Sequence, residues 1–218
     1  ERFLRSLRES AQKLTRTIRK LKPSLYFRMA VPQDGITIRD RVGNANGELI
    51  DRGAVRPPFA PGKIGTSARF EGPRDGAYIR VPDYPKSTGS LSGSFWVFAE
   101  SRPRRATIAS NSTEERVGQF HLSLLRDTGK LRLQVFESAG AKSEVHSNSP
   151  FPISEWQHIA FSADGITLRL YLNGEEISST PCGAVGETDV PSLFIGAKSN
   201  DRKTTVDHFW HGRIDEFA

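Results

Sequence analysis

Two pairs of acidic residues stand close enough in this sequence of 218 residues to be considered as a catalytic acid and nucleophile. Hydrolysis of a glycosidic bond needs two carboxylates that flank the same bond. Asp215 and Glu216 are neighbours, so in a strand they point to opposite faces of the sheet. Glu187 and Asp189 have a suitable spacing, but they lie between a glycine and a proline in a segment predicted to be a loop. We therefore expect no hydrolase and, more generally, a protein that is not an enzyme.

Nucleophilic and metal-binding side chains also form no catalytic pattern. Cys182 is the single cysteine, which excludes an internal disulfide, and no base is placed beside it by the sequence. A buried or incidental thiol is the expected role. His208 and His211 are three residues apart, so in a strand they face opposite sides and would need a bend to share a transition metal. No Gly-x-Ser-x-Gly nucleophile motif occurs in the sequence.

The segment from Trp156 to Gly174 is the centre of the predicted core. Ile166, Leu168, Leu170 and Leu172 recur at a period of two, which places them on one face of a strand. In the preceding strand, Trp156 and Ala160 share one face, whereas Ile159 and Phe161 share the other. Apolar residues on both faces predict a strand covered on two sides, as in a two-sheet sandwich. Asp-Gly and Asn-Gly dipeptides supply the positive φ angles of tight turns.

Short strands separated by turns rich in Gly, Pro and Asn continue through the chain, and no helical pattern follows residue 22. The three prolines of Arg56–Gly62 predict irregular structure there, because proline cannot donate to a sheet. This pattern predicts an all-β, two-sheet antiparallel sandwich with one N-terminal helix. The predicted strands cover residues 25–28, 36–39, 67–70, 77–82, 93–100, 107–110, 120–126, 130–137, 144–148, 156–162, 166–172, 192–197 and 210–218.

Residues 1–22 differ from the rest in both periodicity and charge. They contain eight basic and two acidic residues, whereas residues 23–218 contain 23 of each, so the net charge of +6 lies wholly in the first segment. A body with zero net charge gives no electrostatic footprint for a nucleic acid. Apolar residues repeat at heptad spacing until Pro23 ends the pattern. We therefore divide the chain into a basic amphipathic helix or linker at 1–22 and a sandwich domain at 24–218.

The role of this helix stays open between three alternatives. It could pack on its own domain or trail from an upstream region, or it could self-associate as a coiled coil. The positions that flank the seam offer no opposite charges to pair between copies. A membrane-surface helix is the third alternative, although the segment has no tryptophan to anchor it. No stretch of the sequence approaches the length of a membrane span.

Several short motifs occur in the order found in laminin-G-like, concanavalin-A-like jelly-roll domains, which the chain resembles over residues 24–218. This resemblance implies a jelly-roll sandwich and a role in binding a glycan or a protein. It also implies a structural strand position for His158 and core packing for Trp210. The motifs are Leu25-Tyr-Phe-Arg28, Asp40-Arg-Val-Gly-Asn44, Ala68-Arg-Phe70, Phe95-Trp-Val97, Trp156-x-His158-Ile-Ala160, Leu170-Tyr-Leu-Asn-Gly174, Ile195-Gly196 and His211-Gly-Arg-Ile-Asp-Glu216.

The resemblance further implies a candidate calcium site. Relatives of this fold often hold Ca²⁺ between the loop equivalent to Asp40–Asn44 and the last strand. Calcium takes about six to eight oxygen ligands, and Asp40, Asn44 and Asp215 are the candidate ligands here. The sequence departs from the family at Ala30-Val31, where many members have an acidic pair, and this loss lowers both ligand number and charge. A solvated loop without metal is the alternative.

We therefore expect a non-catalytic, extracytoplasmic module that binds a polysaccharide or a surface protein as part of a longer protein. The first residues of the chain are similar to the linker of bacterial FecR-type surface regulators. A structural spacer or oligomerisation domain is the alternative, and a glycoside hydrolase is a third. Because loops tolerate change at little cost in stability, the expected binding surfaces are the polar loops Arg102–Arg105, Asn111–Arg116 and Lys198–Lys203.

Overall fold

The computed structural model describes residues 12–218 apart from residues 52, 54–57, 75, 114–115 and 201–204. Within this part of the chain there are one α-helix over residues 12–20, one short 3-10 helix and seventeen strands. The strands are β1 (Thr37–Ile38), β2 (Gly47–Ile50), β3 (Phe59–Pro61), β4 (Thr66–Glu71), β5 (Tyr78–Val81), β6 (Leu91–Ala99), β7 (Thr107–Ser110), β8 (Phe120–Leu124), β9 (Lys130–Phe136), β10 (Lys142–Pro150), β11 (Trp156–Ala163), β12 (Thr167–Leu172), β13 (Glu175–Pro181), β14 (Leu193–Ile195), β15 (Lys198–Asn200), β16 (Thr205–Asp207) and β17 (His211–Asp215).

The strands form two large antiparallel sheets that pack into a sandwich, which confirms the predicted fold class. The eight-stranded sheet has the order β1-β2-β5-β14-β7-β8-β9-β10. The seven-stranded sheet has the order β13-β12-β11-β6-β17-β4-β3. Strands β15 and β16 form a separate hairpin. Strands distant in sequence are therefore neighbours in space, as in a jelly roll.

Alternation along the strands determines which residues enter the core. In β11, and in β6 from Phe95 to Ala99, every second side chain is buried and its neighbours are half-buried. The buried faces meet between the sheets, where Phe95 stacks on Phe217 with ring centroids 4.8 Å apart. Phe120 and Phe161 join the two sheets at 5.6 Å. Trp210 is fully buried, which confirms the expectation that it packs in the core.

The central hairpin of β11 and β12 has the predicted alternation with one exception. Leu168 and Leu170 are fully buried, but Ile166 is 76% exposed and lies outside the strand. The reason is that the carboxylate of Asp164 accepts the amides of Ile166 and Thr167, which makes Ile166 part of the turn. The next turn has positive φ at Asn173 and Gly174 (54° and 88°), as a tight hairpin requires.

The prediction that Arg56–Gly62 is irregular was wrong for its second half, since β3 spans Phe59–Pro61. Strand β3 is the edge strand of its sheet, so the missing amide of Pro61 leaves no partner unsatisfied. Strand β13, which the sequence reading did not include, forms the opposite edge. Edge strands bury fewer side chains and therefore give a weaker alternating pattern.

The described part of the predicted helix is helical over residues 12–20, and residues 1–11, which include heptad positions 4, 7 and 11, lie outside the described residues. Arg19 donates from Nη2 to the carbonyl of Arg41 at 2.8 Å. A cavity of about 700 Å³ lies between the helix end and the sandwich, lined by Ile18, Leu21 and Phe95 among others. No helix in the described part of the chain is long and apolar enough to cross a membrane.

Candidate functional site

The outer face of the eight-stranded sheet has a group of polar side chains that we name the polar face. The alternation Phe120-His-Leu-Ser-Leu124 in β8 sends its apolar residues into the core and its polar residues outward. Strands β7, β9 and β10 repeat this arrangement, and their register aligns the outward residues in two rows. One row is Ser110, His121, Gln134 and Glu144, and the other is Thr107, Ser123, Arg132 and His146.

Hydrogen bonds fix the planar groups of the polar face side by side. Gln134 donates from Nε2 to Glu144 Oε2 at 2.6 Å, and Nε2 of His146 lies 2.9 Å from Glu144 Oε1. Arg132 donates from Nε and Nη2 to the hydroxyl of Ser123 at 3.2 and 3.0 Å. An amide, a guanidinium, a carboxylate and an imidazole are thus held in defined orientations. The side chains of Glu144 and His146 reach solvent, whereas Thr107, Ser110, His121, Ser123 and Gln134 are buried.

Two of the three loops expected to bind a ligand flank this face. Burial, followed by the charges of Lys198, Arg132 and His208, lowers the pKa of His121 to about 3. Burial also lowers the pKa of Arg132, and Arg105 lowers it further while Glu144 raises it. Arg105 lies in the loop Arg102–Arg105, but Lys198 belongs to β15 (Lys198–Asn200), so the prediction of a loop at Lys198–Lys203 was wrong for its described part. Both residues bring positive charge to the centre of the sheet. Residues 201–203 lie outside the described part of the chain.

Glu144 is the negative charge of the polar face. Burial raises its pKa, but hydrogen bonds from Gln134 and His146 and the charges of Arg132 and Lys142 outweigh that effect. The net pKa is lowered, so the carboxylate stays ionised at neutral pH and acts as an acceptor.

The third loop, Asn111–Arg116, does not have the expected exposed character in its described part. Asn111, Ser112 and Thr113 are buried. The side-chain oxygen of Asn111 accepts the amides of Gln119 and Phe120, so this segment supports the start of β8. Residues 114 and 115 lie outside the described residues.

An aromatic group adjoins the polar face. Phe194 of β14 pairs in register with Ser110, so it continues the first row toward the opposite edge of the sheet. The ring of Tyr78 lies 5.8 Å from Phe194 and 6.4 Å from Phe209. Sequence reasoning missed these residues, although the alternation in β5 makes Tyr78 an outward residue.

Two of the three candidate calcium ligands are bound to backbone amides. Asp40 accepts the amides of Tyr26 (3.1 Å), Val42 (3.1 Å) and Ala45 (3.3 Å). Asp215 is buried and accepts the amides of Ile64 and Glu216, both at 2.9 Å. Asn44 has an exposed side chain. Backbone amides thus occupy acceptor positions on both carboxylates, so this arrangement does not fit calcium, and we expect the ion to have no effect on melting.

The other candidates for chemistry also have structural partners. Asp215 and Glu216 diverge, since Glu216 binds the Tyr26 hydroxyl and lies 3.3 Å from Arg28 Nε. Burial raises the pKa of both carboxyls, that of Asp215 to about 7. Asp189 is exposed in a loop, as predicted, and lies 3.5 Å from Arg116 Nη1. Asp215 and Glu216 therefore do not have the arrangement of a glycosidase.

The cysteine and histidines give no reactive or metal-binding group. Burial raises the pKa of the Cys182 thiol, and a protonated thiol is a poor nucleophile. His158 lies 2.9 Å from the hydroxyl of Ser94, in the strand position that was expected. His211 lies 2.7 Å from the hydroxyl of Ser101. No cluster of three His, Cys, Asp or Glu residues suited to a metal occurs among the described residues.

The chain resembles solved structures in its fold. No curated protein matches the sequence. Domain 4 of AbnA, a GH43 extracellular arabinanase from Geobacillus stearothermophilus, solved in complex with arabinotriose, has a TM-score of 0.65 at 23% identity and 89% coverage of both chains. The binding domain of Paraclostridial Mosquitocidal Protein 1 has a TM-score of 0.61 at 19% identity, over 89% of this chain and 48% of that one.

A structure of botulinum neurotoxin type C has a TM-score of 0.60 at 14% identity, over 88% of this chain and 46% of that one. Cell entry of that toxin is described as dependent upon interaction with two ganglioside molecules. The chain thus spans about half the length of the two toxin structures. The sequence profile Laminin_G_3, described as the concanavalin A-like lectin/glucanases superfamily, matches residues 73–218. Since this match covers more than half of the sequence and the sandwich agrees with it, the chain belongs to the concanavalin A-like lectin/glucanases superfamily.

Proposed function

We propose that this domain is a non-catalytic carbohydrate-binding module whose binding surface is the polar face. The observation that carries the proposal is the fixed group of Arg132, Gln134, Glu144 and His146 on β9 and β10. The aromatic rings of Tyr78 and Phe194 lie on the same face, with Phe194 three strands, or about 14 Å, from β9. Sugar hydroxyls both donate and accept hydrogen bonds, so a surface that offers guanidinium, amide, carboxylate and imidazole groups suits them. Aromatic rings supply the apolar contact that a sugar ring needs.

Two of the structural relatives support the ligand class. The arabinanase domain was solved with arabinotriose, and the type C neurotoxin is described as interacting with gangliosides. Arg105, Arg132 and Lys198 give the centre of the polar face a positive field. This field favours a glycan with acidic groups over a neutral one.

The distribution of carboxylates supports binding rather than hydrolysis. Among the described strands of the eight-stranded sheet, carboxylates occur at Glu48 in β2 and Glu144 in β10. These strands are six positions apart in the sheet, which is about 29 Å at about 4.8 Å per strand. A glycosidase needs its two carboxyl groups about 5 to 9.5 Å apart.

We also propose that the module acts outside the cytoplasm as part of a longer protein of the FecR type. The support for this setting is the similarity of the first residues to such linkers, together with a carbohydrate ligand. Surface labelling of cells that carry the full-length protein tests it, and protection from an impermeant label in intact cells would contradict it.

A glycan array with a parallel hydrolysis assay tests the binding function. We expect Glu144→Gln to weaken binding to the array hits by about tenfold, because the amide cannot accept from both Gln134 and His146. Glu175→Gln, an exposed change on the edge strand of the other sheet, is the matched control and should bind as the parent. Equal binding by Glu144→Gln and the parent would place the ligand elsewhere. Release of reducing ends by the parent, abolished by Glu187→Gln or Asp189→Asn, would establish an enzyme.

The second candidate function is self-association through the N-terminal helix. Leu21 follows the helix and is 78% exposed, so its side chain is available for contact with a second copy. Sedimentation of the full chain and of Leu21→Ser distinguishes this function. A dimer that dissociates in the variant would favour it, and a monomeric parent would exclude it.

A further inference from the structure

The outer face of the seven-stranded sheet carries a second group of aromatic side chains, independent of the polar face. Trp156 of β11 lies opposite Phe98 of β6, and His158 lies opposite Trp96. The ring centroids of these pairs are 5.6 and 5.0 Å apart. All four residues are half-buried, so each offers part of its ring to solvent. We name these residues the aromatic layer.

Two arginines face each other next to this layer. Arg213 of β17 pairs in register with Arg69 of β4, and both side chains point outward. Like charges directly opposite in an antiparallel pair destabilise a sheet. The adjacent strand β6 presents Phe98 on the other side of Arg213. The two arginines are therefore placed together although their charges oppose folding.

Arg213 is held in a fixed orientation. Its guanidinium carbon lies 3.9 Å from the ring centroid of Phe98 and 5.3 Å from that of Trp156. Nη1 donates to the carbonyl of Pro61 at 2.9 Å. Stacking on a ring leaves the edge of the guanidinium, which carries its N–H groups, free to meet an acceptor.

One donor of each arginine lacks an acceptor among the described residues. Nε of Arg69 and Nε of Arg213 are both buried without a hydrogen-bond partner. Unsatisfied buried donors are unfavourable, and donors on charged groups more so. Burial lowers the pKa of Arg213, and Arg69 adds to this while Glu100 opposes it. The pair is thus a charged group that an added oxyanion would stabilise.

Other charges near the pair lie to either side of it. Glu100 lies 3.5 Å from His211 Nε2, and Glu71 is opposite His211 in register, so the acidic groups gather around that histidine. On the other side, Nζ of Lys63 lies 4.4 Å from the ring centroid of Trp96. Trp96 and Phe98 share a face about 7 Å apart along β6. Lys63 therefore adds positive charge next to Arg213.

We propose that Arg69 and Arg213 form a binding site for an oxyanion carried on a sugar chain, a sulfate ester or a uronic carboxylate. Guanidinium groups recognise such anions through paired hydrogen bonds. The half-exposed rings of Phe98 and Trp156 supply the apolar contact for the sugar ring that carries the anion. Lys63 contributes long-range attraction. This site lies on the sheet opposite the polar face, so it does not depend on carbohydrate binding there.

Binding of the full chain to dextran sulfate, polygalacturonate and uncharged dextran tests the site. We expect the parent to bind one or both acidic polymers and not dextran, and the acidic polymer that binds identifies the sulfate ester or the carboxylate. Arg69→Gln should weaken that binding by about tenfold, since it removes charge-assisted hydrogen bonds. Arg69→Lys should restore part of it. Arg69 rather than Arg213 is substituted because Arg213 also stacks on Phe98 and donates to the carbonyl of Pro61.

Two controls separate this site from general attraction and from the polar face. Arg126→Gln removes the same charge from a half-exposed turn residue and should bind as the parent. The fold loss caused by Arg69→Gln should be the same in the Glu144→Gln background as in the parent, because the two faces are far apart and share no partners. Equal losses in Arg126→Gln and Arg69→Gln, unchanged binding in Arg69→Gln, or no binding of either acidic polymer would overturn the proposal. Thermal unfolding of each variant verifies that it is folded.

Discussion

Replacement of His121 by glutamine is expected to change how the stability of the protein depends on pH. His121 is 6% exposed, and its Nε2 lies 3.0 Å from the hydroxyl of Thr107. Burial and the nearby charges of Lys198, Arg132 and His208 lower its pKa to about 3, from a usual value of about 6.5. Glutamine places an amide near the position of Nε2, so it can keep a hydrogen bond to Thr107 without titrating.

The direction in which stability changes with pH follows from the number of protons bound in the folded and unfolded states. Above about pH 6.5 the imidazole is neutral in both the folded and the unfolded protein. Below that pH the unfolded state takes up a proton that the folded state does not bind, so the free energy of unfolding falls until the folded pKa is reached. At about 1.4 kcal/mol per pH unit, the loss between pH 6.5 and pH 5 is about 2 kcal/mol.

Urea unfolding of the parent and of His121→Gln at about pH 7 and about pH 5 measures this effect. Other titrating groups change both proteins equally, so the difference between them isolates His121. We expect the parent to lose about 2 kcal/mol more than the variant. Equal losses in the two proteins would refute the reasoning and would mean that His121 is solvated or that its neighbours adjust to its charge.

Four further outcomes are expected. Asp215→Asn should remove a pH dependence of stability that has the opposite sign. Because burial raises the pKa of Asp215 to about 7, the folded parent binds a proton that the unfolded chain does not, and it should gain stability relative to the variant as pH falls from about 7 to about 4. The same urea series measures this difference. Gly212→Ala should cost more than about 3 kcal/mol in urea unfolding, since its Cβ would lie 1.9 Å from a carbonyl oxygen of β6. Gly140→Ala, with positive φ but no atom within 4 Å, is its control and should cost far less. A chain of residues 24–218 should keep a cooperative thermal transition, whose loss would place the helix within the core. The melting temperature should be the same in chelator and in millimolar calcium, and a rise with calcium that Asp40→Ala removes would restore the calcium site.

Local sequence patterns predicted the elements of this fold well where a strand is covered on both sides. Strand β7 has the predicted bounds of 107–110, and the turns at Gly129 and Gly140 have positive φ as their composition required. These features depend on steric preferences within a few residues. The errors at β3 and Ile166 arose where neighbours in space changed those preferences.

The candidate sites were less accessible to sequence reasoning. The sequence identified the segments around Arg105 and Lys198 as polar. It did not predict that their positive charges act on His121 and Arg132. The expected binding loop at Asn111 proved to be buried support for β8. A polar residue has the same letter in the sequence whether it binds solvent, a ligand or a backbone amide.

The sequence by itself determined the all-β class, the central hairpin, the separation of the charged first segment and the family. Only the tertiary structure decided that β14 lies between β5 and β7, which places Phe194 beside Ser110, and that β17 pairs with β4, which places Arg213 opposite Arg69. Alternation with a period of two specifies which side chains share a face of one strand. The order and register of strands arise from packing between segments far apart in the chain, so the surfaces that could bind a ligand appear only once the sheets have formed.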